Sequence, residues 1–281
     1  MKVESTRSFK NKQVLKMDVN ILRLIAGENS KHFVSLVDIG KNEQIHFMVT
    51  TLVGPNIYEL KKRRLGRKFT PRTVAYIAIN SLEALKEIHE IGHLHRDVKP
   101  ANLAIGRPPN LRKLYLLDFG LCRRYRHENG RLRRPREKVG FRGSVRYASL
   151  ACHKHAELSR ADDLWSWLYV TIDLVVGHLP WDSEVVRTRD LPLKEAIKRV
   201  GVIKEAMNDM PHDLMDLCPI EFMTLHQHIS SLNYMSSPDY DLLLMALKRL
   251  EERRRKVEKD GEKLDWEEGA GSTRKPLQTK T

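Results

Sequence analysis

The chain has 281 residues, of which 41% are hydrophobic and 31% charged, and its formal net charge is +14. This composition is typical of a globular protein and excludes a largely disordered chain. We expect no signal peptide and no membrane span. Charged residues follow the first five positions, and the longest apolar run, residues 167–177, is short and contains Asp173. The positive charge predicts an anionic partner.

Predicted elements begin with a small strand-rich region. Residues 12–26 show apolar positions at helical spacing, namely Val14, Leu15, Val19, Leu22 and Ile25. Residues 32–40 and 45–53 are apolar and rich in β-branched side chains, and a Gly-Lys-Asn turn separates them. They predict a β-hairpin.

From residue 56 onward the pattern becomes helical. Residues 70–92 predict a long helix with Thr70 as its cap and a proline in its first turn. A short strand is expected within 113–120, and 164–176 is apolar on all sides, which is typical of a buried helix. The last predicted helix covers 239–260.

These elements predict an α+β protein of two lobes. Residues 1–53 would form a small β-rich lobe, and residues 54–268 a larger helical lobe. Residues 269–281 would form a disordered tail. The three cysteines have no paired spacing, which indicates a reducing compartment and hence the cytoplasm.

The segment HLHRDVKPANLAIG, residues 93–106, concentrates the groups that phosphoryl transfer requires. A carboxylate must accept the hydroxyl proton, a cation must neutralise the transferring group, and oxygen ligands must hold Mg²⁺. Asp97, Lys99 and Asn102 fit these roles, and Asp118 of a following Asp-Phe-Gly triplet supplies a second metal ligand. The alternative is that Asp97 caps a turn and Asp118 belongs to a tight turn before Gly120.

These two motifs resemble those of the eukaryotic protein kinases. Further segments are similar to the casein kinase I group and its tau-tubulin kinase-like branch, and they cover most of the chain: 14–22, 52–60, 139–150, 162–170 and 264–271. The resemblance implies the bilobal kinase fold, with ATP and Mg²⁺ as cofactors. It also implies Ser/Thr protein kinase activity on acidic or phosphorylated protein substrates.

The resemblance also assigns residues to the nucleotide site. Lys2 corresponds to the lysine that contacts the α- and β-phosphates, and Asp18 stands where its glutamate partner is usual. Because aspartate is one methylene shorter, either the pair is looser or the helix lies closer. Thr50 is the expected gatekeeper, and the backbone of Leu52 and Val53 is expected to meet adenine.

Other residues are expected to support the catalytic loop. Ser144 replaces a usual threonine and keeps a hydroxyl that can bond Asp97 and Lys99. Arg96, Gly120 and Asp163 are expected to have structural roles. Asp163 lies on the buried helix and needs hydrogen-bond donors there, because burial of an unpaired carboxylate is costly.

One kinase motif, the glycine-rich hairpin, does not precede Lys2 in this sequence. The small lobe would then lack its first two strands and expose a sheet edge. We expect a truncated sequence that has lost roughly thirty upstream residues. As it stands, the chain would bind ATP weakly.

A basic segment, residues 122–142, holds nine Arg or Lys against two Glu. It could be a solvated loop or a nuclear localisation signal, which would add the nucleus as a location, but we favour anion binding. The expected anion site comprises Arg133, Arg134, Arg136, Arg142 and Arg146. The alternative for Arg146 is that it braces the loop by pairing with a structural carboxylate.

Three functions compete on these observations. The leading one is a monomeric Ser/Thr kinase with no specific nucleic-acid or membrane partner. The second is a pseudokinase-like module that holds an anionic protein without turnover. The third, a nucleic-acid binder driven by charge, would show steep salt dependence and leaves the kinase motifs unexplained.

Overall fold

The computed structural model describes residues 1–6, 14–26, 30–257 and 263–267. The predicted tail lies outside the described residues. So do the start of the first predicted helix, residues 12–13, and the end of the last one, residues 258–260. In the described ranges, no helix combines the length and apolar character needed to cross a bilayer.

In the part of the chain that the structure describes, the small lobe is a three-stranded antiparallel sheet packed against one helix. Its elements are β1 (Lys2–Ser5), α1 (Val14–Ile25), β2 (Leu36–Lys41) and β3 (Ile45–Thr50), and the sheet order is β1-β3-β2. The predicted hairpin is present as β2 and β3. Its first strand begins later than predicted, because Phe33 and Val34 are buried in the main core instead of pairing in the sheet.

Helix α1 forms because its apolar side chains face two neighbours. Leu15 and Val19 pack with Met48 of β3, while Leu22 and Ile25 join the main core. The helix therefore ties the sheet to the rest of the molecule.

The larger lobe is mostly helical. Within the described residues it contains four short strands: β4 (His93–Leu94), β5 (Leu103–Ile105), β6 (Leu114–Leu116) and β7 (Arg123–Arg124). Its helices are α2 (Ile57–Arg63), α3 (Pro71–Glu90), α4 (Leu150–His153), α5 (Arg160–Val176), α6 (Asp182–Arg187), α7 (Leu193–Asp209), α8 (Pro211–Met215), α9 (Glu221–Ser231) and α10 (Tyr240–Val257). Strands β5 and β6 pair antiparallel, as do β4 and β7.

Helices α3 and α5 form the centre of this lobe. The Thr70 hydroxyl accepts a hydrogen bond from Thr73 N, so α3 begins with the cap that the sequence predicts. Helix α5 begins with a capping box and ends at Gly177, whose φ of 101° favours glycine. Trp167 of α5 is fully buried and donates to Ala78 O of α3 at 3.2 Å.

A buried carboxylate connects α5 to two other parts of the lobe. Asp173 is 0% exposed, and its Oδ1 lies 2.5 Å from Lys61 Nζ of α2 and 2.7 Å from Arg146 Nη2. Tyr147 donates its hydroxyl to Asp173 Oδ2 at 3.0 Å. One carboxylate thus holds α2, α5 and the segment before α4 in a fixed arrangement.

We predict that Asp173→Asn lowers the free energy of unfolding by about 3 kcal/mol, because the buried Lys61 loses its counter-charge and the partly buried Arg146 keeps only Asp182. Glu221→Gln is the matched control, since it breaks the exposed Arg253–Glu221 pair and should cost less than about 1 kcal/mol. Thermal and urea unfolding measure both variants. If both variants lost the same free energy of unfolding, the Asp173 network would stabilise the fold no more than an exposed ion pair.

Candidate active site

The loop after β4 is held by a carboxylate from α5. Asp163 is 2% exposed, and its two oxygens accept from His95 N and Arg96 N at 2.7 Å each. Its Oδ2 also lies 2.9 Å from His89 Nε2 of α3. Burial alone would raise the pKa of Asp163, but the hydrogen bonds from His89 Nε2 and Arg96 N outweigh it and hold the pKa below its usual value.

Asp97 follows directly and collects three partners. Its Oδ2 lies 2.5 Å from Lys99 Nζ, and its Oδ1 accepts from the Ser144 hydroxyl at 3.0 Å. Asn102 donates Nδ2 to Asp97 O at 2.9 Å and to Oδ2 at 3.3 Å. Lys99 and Asn102 of the same segment therefore meet Ser144, from a distant part of the sequence, around one carboxylate.

Gly143 allows Ser144 to reach Asp97, and the sequence analysis did not single it out. Its φ is 98°, and a Cβ at this position would lie 2.6 Å from Arg96 O. Only glycine fits such a close approach in this conformation. The signal in the sequence was a glycine directly before the predicted serine.

His95 is a second supporting residue that the sequence analysis did not assign. Its Nε2 lies 3.1 Å from Leu117 O, and its Nδ1 accepts from Asp97 N at 3.3 Å. Its ring also contacts Phe119, with centroids 5.7 Å apart. His95 thus joins the catalytic-loop segment to the Asp118-Phe119-Gly120 triplet. Its place beside Arg96 and Asp97 in the motif was the available signal.

Lys2 bridges two carboxylates. Its Nζ lies 2.7 Å from Asp18 Oδ2 and 2.7 Å from Asp118 Oδ1. The other oxygen of Asp18 accepts from Phe119 N at 2.6 Å. The shorter aspartate is therefore accommodated because helix α1 lies close to β1 and to the triplet. Gly120 permits this approach, since a Cβ there would lie 2.1 Å from Val14 Cγ1.

The electrostatics of this cluster favour the charged forms of Lys2 and Asp118. Burial alone would lower the pKa of Lys2, yet the hydrogen bonds and charges of Asp118 and Asp18 raise it above its usual value. Burial would raise the pKa of Asp118, but Lys2 outweighs it and the pKa is lowered. Asp118 is therefore an anion at neutral pH, and its side chain is 45% exposed to the cleft.

Asn102 and Asp118 are adjacent through the β5–β6 pair. Leu117 N donates to Asn102 O at 2.9 Å, and Leu103 pairs with Leu116. Asn102 uses its Nδ2 on Asp97, so its Oδ1 is the atom that it can offer a cation. One carboxylate and one amide oxygen fit Mg²⁺, which prefers oxygen ligands and commonly shares them with substrate phosphates.

The link between the lobes leaves a short stretch of backbone open. Thr50 ends β3, Thr51 N bonds Ser35 O at 3.0 Å, and Gly54 N bonds Ile105 O at 2.8 Å. Between these anchors, Leu52 and Val53 make no backbone hydrogen bond within the part of the chain that the structure describes. Their N–H and C=O groups are where adenine recognition is expected.

Arg146 is paired with two carboxylates, which corrects its assignment to the anion site. Its Nε lies 2.6 Å from Asp182 Oδ1, and its Nη2 lies 2.5 Å from Asp182 Oδ2 and 2.7 Å from Asp173 Oδ1. An added phosphate would meet two carboxylates that already neutralise this guanidinium. The alternative interpretation, a structural brace, fits these contacts.

The other predicted arginines lie on the basic segment and differ in their contacts. Arg136 is bonded to Glu157, with Nη2 to Oε1 at 3.1 Å, and Arg123 Nε lies 3.3 Å from the same oxygen. Arg133 donates to Arg124 O at 3.5 Å, Arg142 donates to Phe141 O at 3.0 Å, and Arg133, Arg134 and Arg142 are all exposed. Glu157 therefore neutralises part of this surface.

Comparison with known proteins agrees with this geometry. The family model described as the protein kinase domain matches residues 1–260. The chain therefore belongs to the protein kinase family.

Individual relatives indicate which group of protein kinases the chain resembles. A putative casein kinase I of Caenorhabditis elegans is 34% identical over 261 residues, covering 92% of this chain and 72% of that protein. An inactive tau-tubulin kinase of the same organism is 32% identical over 263 residues, covering 89% and 86%. A probable serine/threonine-protein kinase of Dictyostelium discoideum is 37% identical over 237 residues, covering 84% of this chain but only 45% of that protein. The resemblance to the casein kinase I and tau-tubulin kinase-like proteins is confirmed.

We predict that Asp18→Glu, which introduces the acid usual in kinases, destabilises this chain by about 1–3 kcal/mol. Both oxygens of the fully buried Asp18 are already bonded at 2.6–2.7 Å, so an extra methylene has no space. Thermal unfolding and the Kd for ATP–Mg measure the effect. Asp38→Glu, on strand β2, is the control for the same one-methylene change at an exposed acid. A more stable Asp18→Glu variant would contradict the close-packed arrangement.

Proposed function

We propose that this chain is the domain of a Ser/Thr protein kinase that transfers the γ-phosphoryl group of ATP to protein hydroxyls. The observation that carries the proposal is the convergence of Lys99, Asn102 and Ser144 on Asp97, beside Asp118. A turn-capping role for Asp97 would not require these partners.

The residues supply each part of an in-line transfer. The substrate hydroxyl oxygen bonds to the γ-phosphorus while the bond from phosphorus to the bridging oxygen of ADP breaks, and Asp97 accepts the hydroxyl proton. Ser144 holds one Asp97 oxygen, and Lys99 places a positive charge beside the transferring group. Lys2 would contact the α- and β-phosphates. Mg²⁺, held by Asp118 and Asn102, would neutralise charge on the phosphates.

We further propose a preference for acidic or phosphorylated substrates. Burial lowers the pKa of Arg123, and the nearby charges of Arg136 and Arg133 lower it further against the opposing effect of Glu157. Burial also lowers the pKa of Arg96, and the charges of Arg123 and Arg142 lower it further. These mutually repelling cations extend from the basic segment to the residue next to Asp97. An anionic side chain bound there would relieve their repulsion.

A pseudokinase-like module is the second candidate. It is supported by the 32% identical relative that is described as inactive and by the bond from Lys2 to Asp118, which occupies a metal-ligand oxygen. This candidate predicts binding of acidic proteins without phosphoryl transfer.

Asp97→Asn is predicted to reduce phosphoryl transfer from labelled ATP–Mg to casein by at least about 100-fold, because the proton acceptor is lost. Its fold and its Kd for ATP should change little, since Asp97 is assigned no contact with the nucleotide. Asp241→Asn, which removes an exposed carboxylate on α10, should retain full activity. Full activity of Asp97→Asn would refute the assignment. No transfer by the unchanged chain, even with an upstream glycine-rich hairpin added, would favour the pseudokinase.

Replacing Arg133, Arg134 and Arg136 together by Ala is predicted to raise KM for an acidic peptide by about tenfold, with KM for a neutral peptide changed less than about twofold. Glu157→Gln should have the opposite effect and lower KM for the acidic peptide, because it releases Arg123 and Arg136 from their carboxylate. Steady-state kinetics at two salt concentrations measure both variants. Equal changes for both peptides would rule out the anion site.

A further inference from the structure

The segment that carries Ser144, residues 139–150, has an unusual means of attachment to the lobe. It contains no Asp or Glu, so it cannot be anchored by a carboxylate of its own. Ser144 O accepts from Tyr147 N at 3.0 Å and from Ala148 N at 2.9 Å, which forms a turn. The carbonyls of Val145, Arg146 and Ala148 are then left to find donors elsewhere.

A buried lysine of α7 supplies most of these donors. Lys204 is 1% exposed, and its Nζ donates to Val145 O at 3.0 Å and to Ala148 O at 2.5 Å. Trp181 Nε1 donates to Arg146 O at 2.7 Å. Three carbonyls of the segment are thus bonded by two side chains.

Lys204 has no carboxylate partner among the described residues, because Asp173 and Asp182 are bonded to Arg146. Its ammonium lies over the rings of Trp181 at 4.7 Å and Tyr169 at 5.1 Å. Burial lowers the pKa of Lys204 well below its usual range. A buried cation without a carboxylate partner is costly for stability, and the bonds to Val145 O and Ala148 O offset part of that cost.

His153 cannot replace Lys204 as the donor to Val145 O. Its Nδ1 lies 2.8 Å from Ile197 O, and its Nε2 lies 3.2 Å from Val145 O. Burial, followed by the charge of Lys204, lowers the pKa of His153 to about 4, so the ring is neutral and donates one hydrogen bond. The closer carbonyl, that of Ile197, takes it. Val145 O therefore depends on Lys204.

We infer that Lys204 is a positioning residue for phosphoryl transfer, which fixes the backbone of residues 145–148 and thereby the Ser144 hydroxyl at Asp97 and the surface that receives the protein substrate. The consequence for transfer rests on the proposed function, whereas the attachment of the segment does not. The lysine acts through the backbone and touches neither ATP nor the reacting atoms.

The test compares Lys204→Met with Lys204→Gln and with Lys198→Met, an exposed lysine on the same helix. Methionine keeps the length and removes the donors, and glutamine keeps donors on a shorter side chain. Hydrogen exchange of residues 139–150 in the unchanged chain and the three variants is measured together with the thermal midpoint. Lys204→Met should exchange this segment at least about tenfold faster, with a midpoint close to that of the unchanged chain, because loss of the donors and loss of the buried charge have opposite effects on stability. Lys204→Gln should be intermediate, and Lys198→Met should match the unchanged chain.

Kinetics then test the consequence for the reaction. KM for a protein substrate should rise about five- to tenfold in Lys204→Met, while KM for ATP stays within about twofold. Unchanged exchange in folded Lys204→Met, an equal rise of both KM values, or loss of the fold in both Lys204 variants would overturn the inference. Failure of the unchanged chain to transfer phosphate would refute the proposed function, and the exchange measurement would still decide the attachment.

Discussion

The arrangement of the active site depends on one buried carboxylate. Asp163 lies in a helix that is apolar on nearly every side, and its charge is tolerable there because His95 N and Arg96 N donate to its two oxygens. This requirement bends the chain, so that Arg96 takes a φ of 66° and donates its Nε to Leu121 O. Asp97 then projects towards Lys99 and Ser144. The hydrogen bond from Arg96 N to the buried Asp163 carboxylate thus compensates the strained backbone of Arg96.

The substrate side of the cleft is organised by charges that are satisfied internally. Asp173 and Asp182 hold Arg146, and Lys204 holds the neighbouring carbonyls. Arg133, Arg134 and Arg142 of the basic segment, by contrast, remain exposed to solvent. Arg146 therefore holds residues 139–150 in place, whereas the exposed arginines of the basic segment can contact a substrate. The sequence alone does not distinguish these two roles.

The sequence allowed the lobes, the long helices and the catalytic motifs to be predicted, because each has a local signal. Thr70 and the apolar stripe mark α3, and the spacing from Asp97 through Asn102 to Asp118 marks the reaction. The partner of Arg146 could not be predicted, since Asp173 and Asp182 are 27 and 36 residues away and become neighbours only when α5 and α6 pack. Lys204 was missed for the same reason. A lysine in an amphipathic helix normally indicates a solvated face, and only tertiary packing places the ammonium of this one over the rings of Tyr169 and Trp181.

The bond between Asp18 and the backbone of Phe119 bears on the choice of inhibitor. Phe119 is buried against Phe33 and His95, and its amide donates to a carboxylate that also holds Lys2. A compound that requires displacement of Phe119 must break the bond from Phe119 N to Asp18 and the ring contacts with Phe33 and His95. A compound confined to the adenine cleft leaves both intact. Medicinal chemistry on this domain would therefore start more favourably from scaffolds of the second kind.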